Sequence, residues 1–149
     1  MITYEELNVQ NHKITELTNI LEILLADRII CDAETTHELV MRYVDLVNAH
    51  LHSTENNIYR VLLSQGDQQA RNAANSFMSG SKEIKRIYKN YLKNWCKKDT
   101  CELVIKDYDR FQADTHELFE KILDRIQAET EQLYPLVRKV TGDASAVAG

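Results

Sequence analysis

Glycine and proline are scarce in this sequence, which has four glycines and one proline in 149 residues. Average usage would put roughly 12% of a chain in these two residue types. So few turn-forming residues exclude a loop-rich β-sandwich, a collagen-like chain and a flexible low-complexity protein. An apolar content of 44% and a charged content of 28% predict a folded chain instead, and the length fits one domain of ordinary size.

Long apolar runs and an excess of positive charge are also missing. No apolar run reaches the roughly 18 residues of a membrane-spanning helix, and the first residues, MITYEELNVQ, do not resemble a signal peptide. The formal net charge of −5 disfavours nucleic acid as a partner. Three cysteines, an odd number, argue against a disulfide scaffold. We therefore expect a cytoplasmic protein with no membrane or nucleic-acid partner.

Apolar residues recur every three or four positions almost throughout the chain, which is the period of an α-helix. The pattern predicts helices over residues 3–27, 35–64 and 68–97, and a fourth that begins between residues 100 and 107 and continues past Pro135. Four long helices with short connections predict an all-α fold, an antiparallel up-down-up-down four-helix bundle. The bundle is expected to span residues 1–140, with residues 141–149 as a flexible C-terminal tail.

Local signals predict the ends of these helices. Thr35 and Glu38 have the spacing of a capping box at the start of the second helix, and Asp67 is a favourable N-cap for the third. Proline has no amide hydrogen and clashes with the preceding helical turn. Pro135 is therefore expected to kink or end the fourth helix.

Polar residues interrupt the apolar stripes that predict the core: Asn11, His50, Thr54, Ser81, Thr115 and Glu129. A carboxylate such as Glu129 is costly to bury without a partner, and helical bundles place polar and metal-binding groups on facing helices. We therefore expect His50 and Glu129 to be buried, with Arg125 or a protonated His50 neutralising Glu129. His52 lies nearly opposite its stripe and is expected to be in solvent.

Two segments carry related motifs. The first is His50-Leu51-His52-Ser53-Thr54-Glu55-Asn56-Asn57-Ile58-Tyr59-Arg60-Val61-Leu62, and the second is Arg125-Ile126-Gln127-Ala128-Glu129-Thr130-Glu131-Gln132-Leu133-Tyr134-Pro135-Leu136. They resemble the H-L-x-x-E-D-x-x-L-Y-P-x-L and R-I-x-x-E-x-x-x-L-Y-P-L motifs of bacterial hemerythrin-like (HHE cation-binding) proteins. The resemblance covers roughly residues 7–137. It implies a four-helix bundle with a non-haem iron site, often di-iron, that binds or senses oxygen.

The resemblance implies iron ligands that face the bundle interior, and it assigns His50 and Glu129 to two of these slots. The other slots hold poor iron ligands: Asn11, Thr54, Gly80 or Ser81, and Arg125. A di-iron centre needs several carboxylates and imidazoles, and an arginine repels a dication, so we expect no cofactor. The alternative is non-haem iron on a divergent ligand set, in which His12, Glu55 and His116 join the surviving pair.

The layer that faces His50 depends on where the fourth helix begins. A start at Thr100 would bring Thr115 and His116 into that layer. A start near Asp107 would bring in residues 121–123 instead. The sequence leaves this register open.

Three functions are compatible with these residues. The missing ligands favour a hemerythrin-like bundle with a degenerate metal site that acts as a regulatory or protein-interaction module. The second is an iron-binding oxygen or oxidant sensor or carrier with the divergent ligand set, and the third is a low-activity iron oxidase or peroxidase on the same site. No glycine-rich phosphate loop and no nucleophile–base pair is evident in the sequence, so we do not expect an enzyme.

Two further features concern the surface. Cys96 and Cys101 flank two lysines, which favour thiolate, and the segment is either a redox-responsive loop or a pair of unrelated cysteines, one of them partly buried. The third predicted helix is rich in lysine, and the fourth is rich in aspartate and glutamate. This predicts solvated faces with ion pairs between the two helices, or a basic surface that docks an acidic protein partner.

Overall fold

The computed structural model describes residues 4–97 and 102–142. Within these ranges all regular secondary structure is helical, and the only extended pairing is one isolated bridge between Cys96 and Leu103. The predicted all-α class is therefore confirmed. None of the helices in these ranges is long and apolar enough to cross a bilayer. The predicted tail at residues 141–149 lies almost wholly outside the described part of the chain.

The N-terminal part of the chain forms a long helix and a short one. Helix α1 is Tyr4–Leu25, and helix α2 is Arg28–Cys31. The side chain of Asp27 accepts hydrogen bonds from the backbone amides of Ile29 and Ile30, at 2.9 and 3.1 Å, and so begins α2 as its N-cap. The single helix predicted over residues 3–27 thus ends slightly early, and α2 was not predicted.

The next helical segment contains an irregular turn. Helix α3, Glu34–Ser53, runs directly into a π-helical turn, Thr54–Tyr59, and then into α4, Arg60–Gln65. The predicted capping box is wrong, because the N-cap is Ala33, whose side chain makes no capping hydrogen bond, and Thr35 lies inside the helix. The chain leaves α2 through a tight turn, so the helix begins before Thr35.

Helix α5, Gln68–Trp95, is the longest. Asp67 is its N-cap, as predicted, and accepts a hydrogen bond from the backbone amide of Ala70 at 2.9 Å. The helix ends two residues before the predicted residue 97, because Cys96 has extended backbone and pairs with Leu103.

The last helical segment begins at the later of the two predicted positions. Helix α6, Tyr108–Ala128, has Asp107 as its N-cap. It continues into a second π-helical turn, Glu129–Leu133, and then into α7, Tyr134–Thr141. Pro135 does not end the segment.

Pro135 is tolerated because it stands in the first turn of α7. An amide at the start of a helix has no intrahelical acceptor, so its absence costs little there. The preceding change from α to π geometry provides that new start. Helix α7 ends at Gly142, whose φ of 68° is the left-handed conformation that glycine adopts readily.

The buried apolar residues form two clusters. The larger contains residues of α1, α3, α5 and α6, and the smaller lies around the two π-helical turns, α4 and α7. On α1, Leu7 belongs to the smaller cluster and Ile14 to the larger, whereas on α5 Phe77 belongs to the smaller and Ile84 to the larger. The helices therefore share both clusters, which is the packing of a helical bundle.

Candidate functional site

A layer of buried polar side chains separates the two apolar clusters. Each long helical segment contributes to this layer between a member of one cluster and a member of the other. We call the set the polar layer: Asn11, His50, Thr54, Ser81, Arg125 and Glu129. Five of these residues are buried, and Arg125 is 11% exposed. The positions that the resemblance implies as iron-ligand slots all contribute a side chain to the polar layer, except Gly80, which lies directly before Ser81.

Glu129 is the centre of the polar layer, with a side chain only 1% exposed. Its Oε1 lies 3.0 Å from His50 Nε2 and 3.8 Å from Arg125 Nε. Its Oε2 accepts a hydrogen bond from the hydroxyl of Thr54 at 3.3 Å. Both carboxylate oxygens therefore have protein partners, and both residues proposed to neutralise Glu129 are in contact with it.

The guanidinium of Arg125 is held by several groups. It donates to the Tyr59 hydroxyl and, at 2.6 Å, to the backbone carbonyl of Phe77. Its Cζ also lies 4.6 Å from the centre of the Phe77 ring, in the range of a cation–π contact. The charge is thus balanced by Glu129 and by an aromatic face, which offsets part of its desolvation.

Gly80 gives the guanidinium its space. A Cβ built on Gly80 would lie 2.9 Å from Nη1 of Arg125, closer than a real Cβ contact. Glycine cannot bind a metal through a side chain, so its presence at this ligand position needs another reason. The reason is space: the absence of a side chain at position 80 makes room for the side chain of Arg125.

Two tyrosines extend the layer. Tyr59 and Tyr134 each lie five residues after the motif positions of Thr54 and Glu129, and both are buried. Burial raises the pKa of the Tyr59 hydroxyl, and the positive charge of Arg125 opposes this rise. The Tyr134 hydroxyl accepts a hydrogen bond from Asn11 Nδ2 at 3.2 Å. Sequence reasoning missed both roles, although the repeated Tyr in the two motifs was the signal.

The imidazole of His50 uses both ring nitrogens. Nδ1 lies 3.3 Å from Gln10 Oε1, and Nε2 faces Glu129. Gln10 was not predicted, since it lies at the margin of the α1 stripe. One atom of the layer, Asn11 Oδ1, is buried without a hydrogen-bond partner among the described residues, and it is a position for an internal water.

Both π-helical turns begin at the same motif position. The first opens at Thr54, four residues after His50, and the second opens at Glu129, four residues after Arg125. A π-helical turn inserts an extra residue into a helix and often marks a functional site. The two related motifs therefore share the same backbone irregularity, and the periodicity of apolar residues alone did not reveal it.

The additional ligands of the divergent set lie at the surface. His12 is exposed and pairs with Glu16 at 3.4 Å, and Glu55 pairs with Lys85. His116 is 60% exposed and lies 3.4 Å from Glu22 and 3.1 Å from Glu120. The interior position considered for His116 is therefore wrong, because the fourth helical segment starts at Tyr108 and turns His116 toward solvent.

The polar layer does not fit a di-iron centre. His50 and Glu129 are its only residues with side chains that commonly bind iron, and both already contact protein groups. Arg125 puts a positive charge where a dication would have to bind. Over the ranges 4–97 and 102–142, no group of three or more histidine, cysteine, aspartate or glutamate side chains is arranged to hold a metal ion.

The cysteines have different surroundings. Cys31 is buried, and burial raises its thiol pKa to about 11. Cys96 is half-buried, and its Sγ lies 3.9 Å from the sulfur of Met41. The second member of the proposed redox pair, Cys101, lies outside the described residues.

The predicted ion pairs between the third and fourth helical segments are not seen in the described part of the chain. Within it, the ion pairs of α5 join Lys85 to Glu55 and Arg86 to Glu83. Lys89 and Lys93, farther along α5, are exposed, in agreement with the predicted solvated face. Docking of an acidic protein partner on this face stays a prediction.

Comparisons with protein-family models, with curated proteins and with solved structures found no match.

Proposed function

We propose that this chain is a hemerythrin-like, up-down-up-down four-helix bundle in which protein side chains have replaced the interior metal site, and that it acts as a regulatory or protein-interaction module without catalytic activity of its own. The proposal rests on the two related motifs, the polar layer that they build, and the exposed apolar residues described below.

The order of the two apolar clusters supports the antiparallel topology. Along α1 and α5 the chain passes from the smaller cluster to the larger, from Leu7 to Ile14 and from Phe77 to Ile84. Along the other two long segments the order is reversed. This order supports a chain direction that alternates from one segment to the next, as in an up-down-up-down bundle.

The contacts of Glu129 carry the proposal that the site is metal-independent. The carboxylate has His50, Thr54 and Arg125 as partners, so its charge and its lone pairs are satisfied by the protein. The guanidinium of Arg125 is a permanent positive charge in this layer and would repel a dication. The polar layer can then hold the helices in one packing arrangement without any bound ion.

Exposed isoleucines support a protein-interaction role. Ile20 and Ile23 at the end of α1 are 42% and 75% exposed, and Ile29 and Ile30 in α2 are 85% and 43% exposed. Scattered apolar residues are normal at a surface, whereas several large ones within eleven residues favour a contact surface for a partner.

A chelator experiment tests the metal-independent part of the proposal. We expect the melting temperature of the purified protein to be the same after dialysis against EDTA as after incubation with Fe(II) or Zn(II). A rise of several degrees with either ion, reversed by the chelator, would contradict the proposal, because an ion that binds the native state stabilises it.

Photo-crosslinking in the source cells tests the interaction part. A photoreactive amino acid at position 23 should form a discrete crosslinked product with another protein. The matched control places the same residue at Gln69, which is exposed on α5. Equal products from both positions, or none from position 23, would count against a partner surface at α1 and α2.

A further inference from the structure

A second group of polar and sulfur-containing side chains lies far along the bundle from the polar layer. It surrounds an open pocket of about 520 Å³ between the start of α3 and the connection that precedes α6. His37 and Met41 line this pocket from α3, one helical turn apart, and Leu103 lines it from the connection. Leu103 is the residue that pairs with Cys96 in the isolated bridge, so Cys96 lies beside the same pocket.

His37 and Met41 line this pocket, and Cys96 lies beside it, so three potential ligand side chains are available there. The sulfur atoms of Met41 and Cys96 are 3.9 Å apart. The Nε2 of His37 is buried, and among the described residues it has no hydrogen-bond partner. A buried imidazole nitrogen without a partner costs free energy unless water or an ion satisfies it.

We propose that His37, Met41 and Cys96 form a binding site for a soft monovalent metal ion, Cu(I). Metal–sulfur bonds are about 2.3 Å long. Two sulfurs held 3.9 Å apart subtend about 115° at an ion bound to both, which is close to a trigonal angle. His37 supplies the third ligand.

The donor types select the metal. Thioether and thiolate sulfur are soft ligands that favour Cu(I), whereas Zn(II) rarely takes a methionine. Binding converts the Cys96 thiol to a thiolate, and the proton leaves to solvent. The site requires no oxidant or reductant, because the ion enters and leaves as Cu(I).

The rim of the pocket favours a cation. The only cationic side chain among the described residues that line the pocket is Arg42. The lining carboxylates number four: Glu34, Glu38, Asp45 and Glu102. This excess of negative charge raises the local concentration of cations and attracts them to the soft ligands beneath.

The test is an anaerobic titration of the Cu(I)–bicinchoninate complex with the full chain in ascorbate. We expect the protein to withdraw one Cu(I) per chain. Met41→Leu conserves volume and removes only the sulfur, and Cys96→Ser and His37→Leu remove the other two ligands. Each should weaken Cu(I) binding by about tenfold or more, with thermal unfolding confirming that each variant is folded.

Two controls make the result specific. Met78→Leu changes a half-buried methionine of the smaller cluster, and Cys101→Ser changes the other cysteine of the C-x4-C segment. Both should bind Cu(I) as the wild type does. The proposal is overturned if Met41→Leu binds as tightly as the wild type, or if Cys101→Ser abolishes binding and Met41→Leu does not, because copper would then belong to the cysteine pair.

Discussion

Gly80 and Arg125 are a matched pair: a Cβ on residue 80 would lie 2.9 Å from Nη1 of Arg125. The guanidinium cannot withdraw freely, since Tyr59, Phe77 and Glu129 hold it. The identity of one residue on α5 thus depends on the identity of another on α6.

This pairing predicts that the effect of Gly80→Ala on the free energy of unfolding has opposite signs in the wild type and in an Arg125→Met background. In a helix interior alanine is more favourable than glycine by about 1 kcal/mol. In the wild type we expect Gly80→Ala to lower the free energy of unfolding, because it displaces Arg125. In an Arg125→Met background the same change should raise it by up to about 1 kcal/mol. Urea denaturation of the four proteins measures both effects, and the same change in both backgrounds would refute the pairing.

Removing the carboxylate at the centre of the layer should be strongly destabilising. Glu129→Ala leaves Arg125 without its buried counter-charge and His50 without its Nε2 partner. We expect a loss of about 3 kcal/mol in the free energy of unfolding. Glu131→Ala, two residues along at an exposed position, is the control and should change stability by less than about 0.5 kcal/mol. A thermal shift near zero for Glu129→Ala would contradict the structure.

The two motifs also predict a gain of metal binding. The double substitution Thr54→Glu and Arg125→His gives each motif a histidine followed four residues later by a glutamate. Four ligands from two facing segments are a suitable set for a divalent ion. We expect Zn(II) or Co(II) to raise the melting temperature of this variant and to leave that of the wild type unchanged. A variant that folds but gains no metal stabilisation would show that these motif positions do not face one another.

Alkaline pH should affect stability through Cys31. Its thiol pKa is raised by burial from 9.0 to about 11, so the native state holds the proton more tightly than the unfolded chain does. The contribution to stability is therefore complete below pH 9 and is lost as the pH rises through 11. The free energy of unfolding of Cys31→Ala should fall less steeply over this window than that of the wild type. Parallel curves would be inconsistent with a buried neutral thiol.

The sequence predicted features that depend on helical periodicity and on local caps. The burial of His50 and Glu129, the exposure of His52, and the capping role of Asp67 are confirmed. These follow from angles about one helix or from a side chain beside its own backbone. They require no knowledge of how the helices pack.

Features that depend on neighbours in space or on small changes of backbone geometry were not predicted. The separate helix α2 results from one capping aspartate, and the outward position of His116 results from a helix start that periodicity leaves open. The role of Gly80 is apparent only when α5 and α6 are packed together. The two π-helical turns shift the register by a single residue, which a stripe of apolar residues tolerates.

Metal analysis of the aerobically purified protein, from cells supplied with iron, tests most directly the central claim that side chains have replaced the interior metal. Iron and zinc should be measured together with an absorption spectrum. The account predicts no stoichiometric iron and no charge-transfer band, with Arg125 and Glu129 paired in the interior. About two irons per chain with an oxo-bridge charge-transfer band would contradict it and would favour the oxygen-sensing alternative.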